Sequence, residues 1–247
     1  MGIIKKLIKK FIKNLGYDII KLNPYFTFYP KENTDNGILQ KVLKELNIEL
    51  LFDIGANNGD WAMDIKKNGY SGQIFSFEPQ TESFKILEDL SSNDSRWESF
   101  NYGLGDSDSE EFINISKNLV SSSCLPILDK HTEAETDSRY HKKELIKIKK
   151  IDSLFHNLVT SEKKVFMKID TQGYEFKVLE GAKRIINRVS GLIIEMSFTE
   201  LYKGEVKFSK MKKYLEGLGF LLVHIQDGFK DSNTGELLQV DAIFKRN

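Results

Sequence analysis

A single cysteine, Cys124, in 247 residues excludes an internal disulfide framework and fits a reducing, cytoplasmic setting. Neither charge is in excess: 36 basic side chains balance 36 acidic ones, so no global field draws the chain to nucleic acid. No apolar run approaches the roughly 18 residues of a membrane span. Lysines interrupt the first apolar residues at every turn, which excludes a secretory signal. His131, His141, His156 and His224 lack metal-ligand spacing, and an isolated histidine is more often structural or solvated than a ligand. No internal repeat is present. With 40% hydrophobic residues, what remains is enough for one α/β domain with additions.

The segment Leu50-Leu51-Phe52-Asp53-Ile54-Gly55-Ala56-Asn57-Asn58-Gly59-Asp60-Trp61 carries the most information. A short apolar strand ends on an acid and enters a glycine-punctuated turn, with a helix expected next. Glycine lets backbone approach a ligand closely, at the strand ends where α/β sheets bind nucleosides. A dinucleotide fingerprint would read G-x-G-x-x-G, but Asn57 and Asp60 occupy its second and third glycine positions. Asp60, near a helix N-terminus, would repel a pyrophosphate. No Gly-Lys-Ser/Thr follows, so a P-loop is excluded. A nucleoside cofactor without phosphate remains, and S-adenosylmethionine fits, its ammonium suited to Asp53 directly or through water. Gln73-Ile74-Phe75-Ser76-Phe77-Glu78-Pro79 reads as a second strand. Its Glu78 has the spacing of about twenty residues at which an acid meets ribose hydroxyls.

Along the chain, Ile4, Leu7, Ile8, Phe11, Ile12 and Leu15 recur at helical spacing, with Lys5, Lys6, Lys9, Lys10 and Lys13 opposite. Residues 1–22 are therefore expected to form a basic amphipathic helix, and 23–36 an ordered linker. Such a helix either lies on an anionic membrane surface or packs on the domain or on a second subunit of a homo-oligomer. Residues 37–247 form the main domain. Helices are expected at 37–47, 59–68, 80–90, 174–186 and 206–217. Strands are expected at 50–54, 73–78, 97–104, 148–154, 165–170, 191–196, 220–225 and 239–244, the last two as a hairpin. Residues 107–147 read as an irregular insertion near the active site, in which Ser121-Ser122-Ser123 suggests a flexible linker. The fold class is α/β: a mostly parallel seven-stranded, Rossmann-like sheet with a C-terminal antiparallel hairpin and helices on both faces.

Four segments together resemble the FkbM family of S-adenosylmethionine-dependent O-methyltransferases, over roughly residues 48–200. They are Phe52 to Gly59; Phe77-Glu78-Pro79; Met167-Lys168-Ile169-Asp170-Thr171-Gln172-Gly173-Tyr174-Glu175 with Val178-Leu179-Glu180-Gly181-Ala182; and Ile193-Ile194-Glu195. The third is the specific one. The resemblance implies a class I methyltransferase. Asp53, Gly55, Asn57 and Gly59 would cradle the methionine part of the cofactor, Glu78 would bind both ribose hydroxyls, and Leu104, Gly105 and Asp106 would border the adenine. Related enzymes tend to carry a serine-rich patch near the pocket, which would orient a polyhydroxylated acceptor.

A hydroxyl acceptor needs a base. Asp170 and Glu195 end two strands and are the candidates for base or substrate anchor. Glu175 comes third, against a role as a helix N-terminal acid. Lys168 reads as a tether for a nearby carboxylate. No metal is assigned, although Asp170, Glu175 and Glu195 are of the type that suits a hard cation. The expected activity is O-methylation of a sugar or glycan precursor. Its rivals are a polyketide or other small-molecule hydroxyl, and a non-catalytic, membrane-recruited module.

Overall fold

The computed structural model describes residues 17–22, 25–30, 34–159 and 163–246. The amphipathic stretch from Ile4 to Leu15 lies outside the described residues. The segment after it departs from expectation. Tyr17–Leu22 (β1) is not the end of a helix but a strand, paired antiparallel with Tyr25–Pro30 (β2), where a linker was expected. Adjacent isoleucines at 19 and 20 and the run Tyr25-Phe26-Thr27-Phe28-Tyr29 are the β-branched and aromatic types that favour a pleated strand.

The domain then runs α1 (Asp35–Glu45), β3 (Leu50–Ile54), α2 (Asp60–Lys67), β4 (Gln73–Phe77), α3 (Thr81–Ser91), β5 (Trp97–Phe100), β6 (Gly103–Leu104) and β7 (Ser109–Ser116). It continues through α4 (Asp129–Ala134), β8 (Tyr140–Lys149), α5 (Ile151–Leu158), β9 (Val165–Ile169), α6 (Glu175–Glu180), β10 (Val189–Ser197), α7 (Phe208–Gly217), β11 (Phe220–Asp227) and β12 (Gln239–Arg246). The central sheet has seven strands in the order β11-β12-β10-β9-β3-β4-β5. β12 alone runs against the other six strands. No described helix is long and apolar enough to cross a membrane.

Alternation along the strands explains the two-sided core. Leu50, Phe52 and Ile54 of β3, with Met167 and Ile169 of β9, face α5, α6 and α7 through Phe155, Val178 and Met211. Leu51 and Phe166 face the other way, onto Leu39 and Val42 of α1, Ile65 of α2 and Leu87 of α3. Asp53 and Lys168 share this second face by position, so two charges enter an otherwise apolar row. The chain winds from β3 outward to β5, then returns to set β9 on the other side of β3. The order reverses there, and the carboxyl ends of β3 and β9 open a crevice.

Four expectations are corrected beside that crevice. The strand expected at 97–104 breaks after Phe100, where Asn101 Nδ2 donates to the carbonyls of Glu78 and Pro79. Gly103–Leu104 then joins a separate sheet, β6-β8-β7. Residues 107–147 are thus not irregular throughout: they hold the paired strands β7 and β8 and the helix α4, with Ile113, Ile115, Ile146 and Ile148 forming one buried face at the period of a half-buried strand. Residues 148–154 are not one strand: β8 ends at Lys149 and α5 begins at Ile151. The spacing of Ile151, Leu154, Phe155 and Leu158 is helical, and it outweighs the β-branched residues before it. The helix expected at 174–186 is shorter, because the chain leaves the helical path at Gly181, whose carbonyl accepts from Asp152 N.

Candidate functional site

A cavity of about 500 Å³ opens at the β3–β9 crevice and extends under the β6-β8-β7 sheet. That volume is typical of a small-molecule site. Of the eleven residues singled out from sequence, Gly55, Asn57, Glu78, Leu104, Asp170 and Glu195 line it. Asp53, Gly59, Gly105, Asp106 and Glu175 do not, and each has another position in the structure.

The turn after β3 is fixed by close backbone contact. Gly55 has φ +75°, and a Cβ there would sit 1.8 Å from the carbonyl oxygen of Asp170. No other residue lets β3 and β9 end side by side. Asn57 also lies in the left-handed region, at φ +48°, and its Oδ1 accepts from Asn58 N at 2.8 Å. Its own backbone N–H points back at Glu78. Glu78 Oε2 accepts from Asn57 N and Oε1 from Gln80 N, both at 2.8 Å. Burial pushes the Glu78 carboxyl up to about 7, against the pull of those two backbone donors. Gly59, φ +88°, starts α2 behind the wall, where an added Cβ would meet Leu87 and Trp97 at about 3 Å.

Asp53 is fully enclosed and does not reach the cavity. As packed here, Asp53 has no open path for direct contact with a ligand's ammonium, one of the two options from sequence. Its Oδ2 accepts from Ser76 Oγ at 3.0 Å, and Ser76 Oγ accepts from Trp97 Nε1 at 2.9 Å. Its Oδ1 lies 3.5 Å from Lys168 Nζ. Burial raises the Asp53 carboxyl, and Lys168 opposes that shift. Lys168 Nζ also donates to the Gly55 carbonyl at 2.9 Å and pairs with Asp170 Oδ2 at 3.2 Å. Burial works against its charge, yet Asp170 and Asp53 prevail and hold it protonated. Lys168 is thus the tether foreseen, binding β3, the Gly55 turn and Asp170 together. Removing one partner of a buried pair strands the other, so Lys168→Met is expected to lower unfolding free energy by about 3 kcal/mol in urea titration. Adding Asp53→Asn should restore part of the loss.

At the β9 end, Gln172 is the organising residue, and sequence reasoning gave it no role. Its backbone is left-handed, φ +54°. Its Nε2 donates to Asp170 Oδ1 at 3.0 Å and to Glu195 Oε2 at 2.9 Å, while its Oε1 accepts from Tyr202 Oη at 2.6 Å. Gln239 Nε2 donates to the same Glu195 oxygen at 3.0 Å. Burial raises the Glu195 carboxyl well above its ordinary range, and the nearby acids Asp170, Glu175 and Asp241 add to the shift.

Glu175 faces the protein instead. Its Oε1 accepts from Thr171 N, Thr171 Oγ1 and Gly173 N at 2.8–3.2 Å, pinning the turn between β9 and α6. The helix-terminal reading of Glu175 describes this position. Asp106 pairs with Lys177 at 2.6 Å, and Gly105 packs between Ile148 and Tyr174. The three serines are buried wall, not flexible linker. Ser122 Oγ donates to Leu119 O, Ser123 Oγ donates to Gln172 O, and Ser121 Oγ accepts from Asn118 Nδ2. His224 is remote from the cavity and pairs with Asp35. Cys124 lines the cavity, but burial pushes its thiol up to about 12, so it is not a ready nucleophile. No cluster able to hold a metal ion is found among the described residues.

A family model described as the methyltransferase FkbM domain matches residues 53–222. No curated protein matches the sequence. Among solved structures, the FkbM methyltransferase of Methylobacillus flagellatus KT shares 18% identity over 80% of this chain, with TM-score 0.48. This chain spans 44% of that protein's length. Magnesium protoporphyrin IX methyltransferase of Synechocystis PCC 6803, solved with bound SAM, shares 9% identity over 86% of this chain and 79% of its own, with TM-score 0.44. TehB of Haemophilus influenzae shares 9% over 88% of this chain and 65% of its own, with TM-score 0.46.

Proposed function

The chain belongs to the FkbM methyltransferase family, and on that premise we propose that it uses S-adenosylmethionine to methylate a hydroxyl of a sugar or glycan precursor. One observation carries the reading. A single cavity is walled at one end by the Gly55–Asn58 turn with Glu78, and at the other by Asp170, Gln172 and Glu195. A nucleoside cradle and a proton acceptor therefore share one space.

The cradle fits the cofactor. Each Glu78 oxygen accepts one backbone N–H, and a carboxylate oxygen has room for a second donor. Two acceptor positions remain for a vicinal diol. Leu104 and Ile148 offer an apolar wall for a flat base. Asp60, the first residue of α2, lines the same space and disfavours any phosphate there.

When bound, the cofactor supplies an electrophilic methyl on its sulfonium. The chain's own residues do the rest. Asp170 accepts the proton that the acceptor hydroxyl loses as its oxygen forms the new bond to carbon. Gln172 holds Asp170 and Glu195 in fixed relation, so the acceptor meets a preformed site. Glu195, held by Gln172 and Gln239, stands beside it as the anchor for a second acceptor hydroxyl.

Cofactor binding should release a proton near neutrality. Burial keeps Glu78 protonated below about 7 in the free protein, and ribose hydroxyls donate best to its ionised form. Affinity is thus expected to strengthen as pH rises from 6 to 8. Binding heats at pH 7 in buffers of different ionisation enthalpy would report the released proton; heats independent of buffer would contradict it. The acceptor reading is tested by incubating the intact chain with methyl-labelled cofactor and a mixed pool of glycosides. Label recovered as a methyl ether is the expected result. Cofactor binding without transfer to any hydroxyl would overturn it.

A further inference from the structure

Past the two carboxylates the cavity ends against a separate apolar cluster that contains Ala134, Leu201, Tyr202, Leu238 and Phe229. His131 of α4 packs there, its ring 4.9 Å from Phe229 and 5.1 Å, edge-on, from Tyr202. His131 and Phe229 both form cavity wall. His131 is only 2% exposed, and its Nδ1 is enclosed without a hydrogen-bond partner. A stranded N–H donor is rarer in proteins than a stranded acceptor, so the ring proton belongs on Nε2. Burial lowers the imidazole to about 4, which leaves it neutral at physiological pH. Tyr202 Oη, donating to Gln172, ties this end to Asp170 and Glu195.

The titratable groups on the wall are mostly acids. Asp60, Glu78, Glu135, Asp170 and Glu195 line the cavity, against Lys168 alone. That lysine is already committed to Asp53, Asp170 and the Gly55 carbonyl. Phosphate recognition takes free cations or converging backbone N–H groups, and a desolvated anion without them is costly.

We infer, building on the methyltransferase reading above, that His131 and Phe229 form the acceptor subsite, and that the part of the acceptor inside the cavity is an uncharged sugar ring rather than a phosphate- or nucleotide-linked one. The apolar face of the ring rests on Phe229, and His131 Nε2–H donates to a ring or hydroxyl oxygen. Glu135 stands at this end and repels a diphosphate attached to the same ring.

Saturation-transfer NMR on the full chain, with and without S-adenosylmethionine, tests this without requiring turnover. The probes are the methyl glycosides of glucose, galactose, mannose and fucose, each beside its nucleoside-diphosphate counterpart. At least one glycoside is expected to bind, and at least tenfold more tightly than its nucleotide form. His131→Phe keeps the ring packing but loses the donor, and should weaken glycoside binding about tenfold, one hydrogen bond's worth, with cofactor affinity unchanged. Phe229→Leu should weaken it independently. Glu135→Lys should narrow the gap to the nucleotide sugars. Tighter binding of nucleotide sugars, no glycoside binding by protein that binds the cofactor, or glycoside affinity unmoved in both ring variants would each overturn the inference. Failure to bind the cofactor, measured separately by calorimetry, would instead remove the methyltransferase reading.

Discussion

Replacing Glu78 with alanine is expected to weaken S-adenosylmethionine binding about 100-fold, the loss of two hydrogen bonds to a carboxylate at roughly 1.5 kcal/mol each. The carboxylate is nearly inaccessible except from the cavity, and its geometry is set by two backbone donors. Alanine leaves Asn57 N and Gln80 N without acceptors, so the turn itself should loosen and thermal stability should fall as well. Glu78→Gln separates the two effects. It keeps one acceptor oxygen and most of the shape, and about a tenfold loss is expected. Calorimetry on folded variants decides: equal affinity for Glu78→Ala and the parent would remove the ribose role.

Asp170→Asn should lower kcat by a factor of about 10²–10⁴, the usual contribution of a positioned general base, with little change in cofactor affinity. Glu195→Gln should cost far less. Glutamine keeps an oxygen to accept from Gln172 and Gln239. The contrast matters more than either number. The two acids share one glutamine, yet they differ in surroundings: burial and neighbouring acids raise the Glu195 carboxyl, while Asp170 is paired with Lys168. A larger kcat loss for Glu195→Gln than for Asp170→Asn would reverse the assignment of base and anchor.

Much of this was legible in the residues. Most of the apolar strands and the helices between them follow from periodicity, and a ligand site at the strand ends follows from the Asp53–Gly59 turn. Glu78 was placed by spacing alone, and the cavity places it beside Asn57. What sequence could not give was direction. Asp53 is still inside β3, one residue before its end, and packs against Ser76 and Lys168, while Glu78 follows the last residue of β4 and meets the cavity. A strand-ending acid has no mark that tells these apart. Gln172 stands within a motif, but its bridging depends on a left-handed backbone and on Tyr202 thirty residues away in sequence. The β6-β8-β7 sheet escapes a sequence reading because the loop at 117–139 separates its long strands. Their alternating isoleucines are visible, but without a short turn they do not read as a pair. Residues 17–30 read as helix and linker only if the helical period of the preceding segment is extended across a change to β-branched and aromatic residues.

The central claim is that the Gly55–Asn58 turn and Glu78 form a pocket for a phosphate-free nucleoside methyl donor. Isothermal calorimetry of the intact chain with S-adenosylmethionine, beside NAD as a pyrophosphate-bearing control, tests it most directly. The account predicts saturable one-to-one binding of S-adenosylmethionine that strengthens between pH 6 and 8, and no binding of NAD. Binding of NAD with no heat from S-adenosylmethionine at any reachable concentration would contradict it.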